Sequence, residues 1–255
     1  MRSHDLVRTA LAAIDGGESV VVATVVETHR SVPRHAGSKM LVFADGRSMG
    51  SIGGGEMEAR VIDAAGEVLA SGDPRLVTFD LLDPAAGDPG VCGGSVSIYL
   101  EPLLPEPSVV VVGCGHIGKA VADLAHWLGY RVTAVDDRAE LATPDQVPTA
   151  DTVMAGPIAD VIARAAVNDR THIVLVTRNM SVDLDAIPAA LATPARSIGV
   201  MGSTRRWAQT RERLTARGIA PAQLDRVRSP VGLAIDAETP EQIALSIMAE
   251  ITSFR

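Results

Sequence analysis

The sequence is poor in aromatic residues, cysteine and positive charge, and each shortage excludes a class of function. Aromatic residues make up 3% of the 255 positions, so platforms that stack bases or sugars are not expected. The formal net charge is −8, which disfavours a nucleic-acid partner because such a protein needs a basic surface to displace counterions. The two cysteines, Cys92 and Cys114, have neither metal-ligand spacing nor the number that a disulfide scaffold requires.

Long hydrophobic runs are also missing. No stretch approaches the roughly 20 apolar residues of a membrane-spanning helix, and residues 1–17 contain no apolar signal-peptide core. Hydrophobic residues nevertheless make up 47% of the chain, which is enough for a normal buried core. We therefore expect a cytoplasmic protein with no membrane partner.

The first part of the chain mixes helical and strand patterns. Apolar residues recur at helical spacing in two segments, and β-branched residues dominate several others. The dipeptide Asp45-Gly46 lies between two strand-like segments and favours a hairpin turn. We predict helices over 4–14 and 56–70, and strands over 19–27, 38–44, from 48 onward, over 75–82 and over 95–102.

The proline-rich segment 102–107 is the best candidate for a domain boundary. It divides the chain into a glycine-rich domain, 1–104, and a second domain, 105–255, in which strand and helix patterns alternate. Such alternation predicts a parallel sheet covered on both faces, and hence an α/β fold. Strands are expected near 109–112, 131–135, 152–154, 172–177 and 197–201, and helices near 117–128, 158–165, 184–192, 205–217 and from 240 onward.

A dinucleotide-binding fingerprint opens the second domain. Gly113, Gly115 and Gly118 fit G-x-G-x-x-G between a four-valine strand and a helix, the context that the motif requires. Backbone amides and the helix N-terminus would face a pyrophosphate. Asp136 follows the next strand, where a carboxylate can accept from a ribose hydroxyl. The side chain of His116 could contact a phosphate or cap the helix.

A second turn with free backbone donors follows the strand near 197–201. Gly202 and Ser203 precede a predicted helix, and Arg205 and Arg206 add positive charge at its start. This arrangement is typical of an anion site. An ordinary turn followed by solvated arginines explains the same residues, and both interpretations stay open.

Glycine is concentrated once more in the first domain. Gly53, Gly54 and Gly55 lead into a helix that carries Glu58. A loop of this kind offers several amides to an anion, with Arg34 and Lys39 as countercharges. Cys92 precedes two glycines, which would leave its sulfur accessible, although a free cysteine is more often a small buried hydrophobe.

These motifs together resemble those of the XdhC/CoxI family, the xanthine dehydrogenase accessory factors. The resemblance covers almost the whole chain in the family's order, and its N-terminal motifs are far more specific than the fingerprint alone. The segments that carry it are SVPR (31–34), GSKM (37–40), GSIGGG (50–55), Glu58, CGG (92–94), Glu101-Pro102, GCGHIG (113–118), VDDR (135–138), GVMGSTRR (199–206) and SPVGLAIDAETPEQIALSIMAEI (229–251).

The resemblance implies a chaperone for the molybdenum cofactor. Such a protein binds molybdopterin or its cytosine dinucleotide as cargo, protects it while a cysteine desulfurase supports its sulfuration, and inserts it into an apo-molybdenum hydroxylase. Family members are typically homodimers. Cys92 would then lie near the molybdenum or its sulfur ligand. The remaining expected cofactor-binding residues are Arg34, Lys39, Gly53, Gly54, Gly55, Glu58, Gly113, Gly115, His116, Gly118, Asp136, Gly202, Ser203 and Arg205.

Two positions depart from the family pattern. Many relatives have Thr-Arg-Gly-His after the fourth strand of the second domain, where this chain has Thr177-Arg178-Asn179-Met180. Many also have a small residue or cysteine after the triple glycine, where this chain has Glu56. A cofactor contact made by that histidine would be missing or replaced here.

Two other functions are compatible with the sequence. An NAD(P)-dependent oxidoreductase would use the fingerprint and Asp136, but no proton donor is evident for it, with only His35 and Lys39 as possible candidates. A nucleotide-sensing protein without chemistry is the third alternative. Metal catalysis is disfavoured, because His29 and His35 match no zinc-ligand spacing. The client enzyme and the form of the cofactor stay open.

Overall fold

A computed structural model describes residues 3–83, 85, 88–90 and 92–254. The chain divides into two compact units, Met1–Pro105 and Glu106–Arg255, called here the N-terminal and C-terminal units. Among the described residues, no helix combines the length and the apolar character needed to cross a membrane.

The N-terminal unit contains a five-stranded antiparallel sheet. Its central strand is the valine-rich segment 20–29. The β-branched side chains of this segment pack well on a pleated surface that is covered on both sides. The spatial order is β3-β2-β1-β5-β4. The strands are β1 Val20–His29, β2 Lys39–Phe43, β3 Ser48–Gly50, β4 Arg75–Asp80 and β5 Ser95–Leu103.

Two helices, α1 Ser3–Asp15 and α2 Gly55–Ser71, pack on opposite faces of this sheet. The alternation of side chains along β2 separates the two faces. Met40 and Val42 pack in the cluster that contains α2, whereas Leu41 and Phe43 pack in the cluster that contains α1. The predicted hairpin around Asp45-Gly46 is confirmed, since β2 and β3 pair in antiparallel fashion across it.

The C-terminal unit is built on a six-stranded parallel sheet in the order β11-β10-β9-β6-β7-β8. The α/β class and the parallel sheet that the sequence predicts are confirmed, and the sheet is Rossmann-like. Its strands are β6 Ser108–Val112, β7 Arg131–Asp136, β8 Thr152–Ala155, β9 Thr171–Leu175, β10 Ser197–Val200 and β11 Val227–Arg228. Its helices are α3 His116–Trp127, α4 Ile158–Arg164, α5 Met180–Leu191, α6 Thr204–Ala216, α7 Pro221–Leu224 and α8 Pro240–Thr252.

Helices cover both faces of the parallel sheet, and the four valines of β6 show why this strand is apolar throughout. Val109 and Val111 pack in a cluster with residues of α3 and α8. Val110 and Val112 pack in a second cluster with residues of α4, α5 and α6. A strand buried on both faces cannot show the alternation of a half-exposed strand.

The structure differs from the sequence prediction mainly in short elements of the C-terminal unit. Helix α5 begins at Met180 rather than near residue 184, because the Asn179 side chain accepts a hydrogen bond from the Val182 amide and caps the helix earlier. The sequence did not predict α7 or β11, which contain 4 and 2 residues. Segments this short carry no readable periodicity.

The glycine loop after β6 offers a test of the fold. A methyl group on Gly118 would overlap the carbonyl oxygen of Gly113, whereas one on Gly115 would meet no atom within 4 Å. We expect Gly118→Ala to lower the free energy of unfolding by about 3 kcal/mol or more. The matched change Gly115→Ala, at a helix N-cap, should cost less than about 1 kcal/mol. Urea unfolding of both variants measures the difference, and equal losses would contradict this packing.

Candidate functional site

The antiparallel sheet of the N-terminal unit brings its three glycine-rich motifs to one edge. Neighbouring strands run in opposite directions, so the C-terminal ends of β1 and β3 share that edge with the N-terminal ends of β2 and β5. Segments 30–38, 51–54 and 92–94 all connect to the sheet there. They are called here the motif loops.

The motif loops contact one another through positions where only glycine fits. A methyl group on Gly94 would overlap the carbonyl oxygens of His29 and Ser31. One on Gly53 would lie 2.8 Å from Cγ of Pro33 and would also overlap the Met57 side chain. Close approach of this kind is a use of glycine that no other residue can replace. The structure therefore brings the SVPR, GSIGGG and CGG motifs together.

Two reactive or charged side chains of the motif loops are open to solvent. Cys92 is a free, exposed cysteine. The Arg34 side chain is also exposed, and it has no hydrogen-bond or ion-pair partner in the part of the chain that the structure describes. A free thiol and an unpaired guanidinium therefore lie on the same edge of the sheet. Val91, which precedes the cysteine, lies outside the described residues.

Glu58 occupies part of the amide cradle that the sequence assigns to a ligand. Its Oε1 accepts hydrogen bonds from Ser51 Oγ at 2.7 Å and from the amides of Ile52, Gly54 and Gly53 at 3.0, 2.9 and 3.3 Å. Burial acts to raise the pKa of this carboxyl group, but the four hydrogen bonds outweigh it and the pKa is lowered. The carboxylate therefore holds the loop in shape from inside.

The outer part of this loop stays open. Gly54 and Gly55 have φ of +84° and +66°, and a methyl group on either would meet no atom within 4 Å. The Gly55 amide is not among those that Glu58 accepts from. A ligand can thus approach the loop at Gly55 and at the first turn of α2, where free amides favour an anion.

Lys39 and Glu56 point away from this arrangement. Lys39 Nζ donates to Thr24 Oγ1 at 2.8 Å, and along β2 it shares the face of Leu41, which packs with α1. The Lys39 ammonium therefore lies on the face of the sheet opposite α2. The Glu56 carboxylate accepts from Arg60 at 2.5 Å, one helical turn away. Glu56 therefore has a partner within its own helix.

In the C-terminal unit, the glycine loop has the form that the fingerprint predicts. Gly113 has φ of +112°, and a methyl group there would lie 2.8 Å from the Val176 carbonyl oxygen. Gly115 is the N-cap of α3 without any side-chain capping bond, and it is unobstructed on its outer side. His116 is the exposed first residue of the helix, so its imidazole does not serve as the cap.

Asp136 has its carboxylate oxygens engaged within the protein. The side chain is 1% exposed. It accepts from the Cys114 amide at 2.7 Å, from the Arg138 amide at 2.9 Å, and from Nε and Nη2 of Arg138, each at 3.0 Å. Burial, followed by the Asp136 charge, raises the pKa of the Cys114 thiol to about 12. Asp136 in this arrangement stabilises the glycine loop instead of presenting a free acceptor to a ribose.

A second ion pair at this edge was not foreseen from the sequence. Arg178 donates through both terminal nitrogens to the two oxygens of Asp137, at 2.7 and 2.8 Å. The bidentate hydrogen bond from Arg178 is the main cause that lowers the pKa of Asp137 to about 2. The sequence contained one indication of this ion pair, because Asp137 and Arg178 each come shortly after a predicted strand. Met180, at the position where the family resemblance leads us to expect a histidine, packs against the core.

The turn after β10 is held by a buried network. Ser203 caps α6 by accepting from the Arg206 amide at 3.2 Å. The Arg206 guanidinium donates to the fully buried Asp183 at 2.5 and 2.9 Å and to Thr177 Oγ1 at 2.8 Å. Arg206 is therefore structural. Gly202 has φ of +155°, and Arg205 is exposed beside it, so only Arg205 offers an open positive charge at this turn.

The described residues contain no group of three or more histidine, cysteine, aspartate or glutamate side chains arranged to hold a metal ion. A metal bound as part of a larger molecule would need only individual contacts. Among the described residues, the exposed cysteine thiol lies in the N-terminal unit. Thiolate is the protein ligand best suited to soft metal and sulfur chemistry.

The carboxylate of Glu58 gives a pH-dependent prediction. Its pKa is lower in the folded protein than in the unfolded chain, so it stabilises the fold above about pH 4.3 and loses that contribution as the pH falls through the folded value. We expect Glu58→Gln to lower the free energy of unfolding by about 1–2 kcal/mol at pH 7. The difference from the natural protein should shrink below about pH 4.

Urea unfolding between pH 3 and 8 measures this dependence, and a difference that stays constant over the range would contradict it. Glu56→Gln is the matched control, because Glu56 is exposed and is paired with Arg60 within one helix. Its effect should not exceed about 0.5 kcal/mol.

Comparison with known proteins agrees with this architecture. A model of the XdhC Rossmann domain matches residues 109–251, more than half of the chain. A model of the XdhC and CoxI family matches residues 13–80. A crystal structure of a xanthine dehydrogenase from Bacillus halodurans shares the fold, with a TM-score of 0.51 and 22% identity over 99% of this chain and 95% of that one.

Curated relatives come from two bacteria. The Escherichia coli protein YqeB, described as uncharacterized, is 31% identical over 90% of this chain. The E. coli molybdenum cofactor insertion chaperone PaoD is 25% identical over 98%. A Bacillus subtilis protein, described as a probable xanthine dehydrogenase subunit, is 27% identical over 63%.

The matched regions are 42% of YqeB, 88% of PaoD and 47% of the B. subtilis protein, so the chain spans less than half the length of two of these relatives. The two family models match regions in both units of the structure, in the order that the motifs predict. The chain belongs to the XdhC and CoxI family.

Proposed function

We propose that this protein binds the molybdenum cofactor as cargo and inserts it into a xanthine dehydrogenase-type molybdenum hydroxylase. Its membership of the XdhC and CoxI family supports this function. So does its similarity to PaoD, a molybdenum cofactor insertion chaperone, over 98% of the chain. The protein is then a maturation factor that carries a product of cofactor synthesis to an apo-enzyme.

The observation that carries the proposal is the meeting of the motif loops at one edge of the antiparallel sheet. The exposed Cys92 thiol and the unpaired Arg34 guanidinium belong to two of these loops, and the glycine loop that is open at Gly54 and Gly55 is the third. A guanidinium and free amides suit the phosphate of a pterin cofactor. A thiolate suits the molybdenum or its sulfur ligands. Glu58 positions the loop from within.

Further parts of the proposal follow the family resemblance. The cargo is molybdopterin or its cytosine dinucleotide, and a cysteine desulfurase supplies its sulfur while the chaperone holds it. The protein works as a homodimer in the cytoplasm. Domain 1–104 carries the cargo site. Solution mass and the pterin forms released from the loaded protein test these points.

An NAD(P)-dependent oxidoreductase is less compatible with the geometry. The carboxylate that would accept from a ribose hydroxyl is already bonded to the Cys114 amide and to Arg138. Lys39, a possible proton donor, is bonded to Thr24. Neither arrangement prepares the protein for hydride transfer, so we do not adopt this alternative.

Cofactor loading tests the proposed function. We expect the protein, expressed in a host that makes molybdenum cofactor and purified without oxygen, to carry about one equivalent of molybdenum and pterin per chain. Cys92→Ser or Arg34→Ala should reduce the load at least about fivefold, because each removes a direct contact. Arg8→Ala, an exposed arginine of α1, is the matched control and should load normally.

Molybdenum is measured by mass spectrometry and the pterin by fluorescence after oxidation. A protein that is empty under these conditions, and that does not restore activity to the apo-enzyme, would contradict the proposed function. Normal loading of Cys92→Ser would remove the thiol from the site.

The two cysteines should differ sharply in reactivity. Cys92 is exposed, whereas Cys114 is buried and its pKa is raised to about 12. Since the thiolate is the reacting form, we expect iodoacetamide at pH 8 to modify one cysteine, Cys92, in the cargo-free folded protein. Peptide mass spectrometry identifies the site. Bound cofactor should slow the reaction, and modification of Cys114 without unfolding would contradict its burial.

A further inference from the structure

The cleft beside the parallel sheet suggests a site that the cofactor function leaves unused. It lies in the C-terminal unit, next to the carboxyl ends of β7, β8 and β9, and has a volume of about 550 Å³. This is within the range of about 300–1,000 Å³ that small-molecule sites occupy. Its apolar wall is formed by Pro157, Ile158, Leu184 and Pro188.

A much smaller cavity lies behind this cleft, at the glycine loop. It has a volume of about 10 Å³ and is lined by Gly113, Asp136 and Arg138, among others. That volume accommodates about one water molecule and no phosphate group. It occupies the place at the carboxyl end of β6 where strand order reverses, and where folds of this type bind the phosphates of their ligands.

The Asp137–Arg178 ion pair lies where the two cavities adjoin. Both residues line the cleft and also line the small cavity. Asp137 follows β7 and Arg178 follows β9, and these strands flank β6 in the sheet. The bidentate pair therefore bridges the end of β6, directly over the start of the glycine loop.

We propose that the Asp137–Arg178 ion pair is a gate, and that its opening creates a binding site for a nucleoside phosphate. In the open form, the Arg178 guanidinium pairs with the phosphate at the glycine loop. The sugar and base lie in the cleft, against its apolar wall.

The local charges allow this exchange. Asp137 has a second cation within reach, because Arg138 Nε lies 4.0 Å from its Oδ1. When Arg178 turns to a phosphate, the Asp137 carboxylate therefore keeps a positive charge nearby, which it shares with Asp136. The side chains of Asp137 and Arg178 are 32% and 42% exposed, so water can solvate both as the pair separates. A bidentate guanidinium–phosphate pair then replaces a bidentate guanidinium–carboxylate pair of similar geometry.

Calorimetric titration with CMP, AMP and inorganic phosphate tests the gate. We expect the natural protein to bind one nucleotide per chain and to bind inorganic phosphate at least about tenfold more weakly, because phosphate makes no contact with the cleft. Asp137→Asn should tighten nucleotide binding about tenfold, since the competing pair is lost and more molecules are open. Arg178→Ala should weaken it at least about tenfold.

Two further variants keep the test decisive. Ala159→Trp places a bulky side chain at an exposed position of the cleft wall and should abolish nucleotide binding while the gate stays intact. Asp225→Asn breaks the exposed Arg211–Asp225 ion pair, which lies outside the cleft, and should bind as the natural protein does. Circular dichroism checks that each variant is folded.

Three results would overturn the proposal. The natural protein and Asp137→Asn could both fail to bind CMP and AMP at about 10 mM, a concentration at which even weak ligands bind. Arg178→Ala could bind as tightly as the natural protein. Inorganic phosphate could bind as tightly as the nucleotides, which would indicate a simple anion patch. None of these outcomes depends on cofactor loading at Cys92, so the two proposals can fail separately.

Discussion

Buried or half-buried carboxylates that accept hydrogen bonds from loop residues are the interaction on which both units depend. Glu58 accepts from the amides of the first glycine loop, and Asp136 from the Cys114 amide of the second. Asp183 binds Arg206 and Thr177 behind the turn that follows β10. Glu250 of α8 accepts from the Gly232 amide. Buried backbone amides must be paired, and a carboxylate pairs several of them at once.

This arrangement explains why anion sites that the sequence predicts are only partly open. A loop that can bind a ligand's phosphate can also bind a carboxylate of the protein itself, because the donors are the same amides. In the first loop, Glu58 accepts from the inner amides, and the region around Gly55 stays free. In the second, Asp136 accepts from the Cys114 amide, and Asp137 holds Arg178 across the crevice. The remaining free groups are those that face solvent.

The physical origin of three of the family motifs is also clear from the packing. Gly53 and Gly94 are required because a neighbouring loop lies where a side chain would be, and Gly118 because a carbonyl oxygen does. The departure at Asn179-Met180 has a structural role, since one residue caps α5 and the other packs in the core. Cys92 and Arg34 have no such structural role among the described residues. Side chains of a motif loop that are exposed and have no internal partner are free to contact a ligand.

The sequence alone determined the α/β class, the order of the main elements and the glycine fingerprint, because periodicity and glycine spacing are local properties of the chain. It also identified the motif residues, through their resemblance to a family. Only the tertiary structure decided which of them are free to act. Lys39 turned to the face of α1, Asp136 paired with Arg138, and Arg178 reached Asp137 across β6. These outcomes depend on which strands are neighbours and which face a side chain occupies, and such long-range relations leave no periodic signal in the sequence.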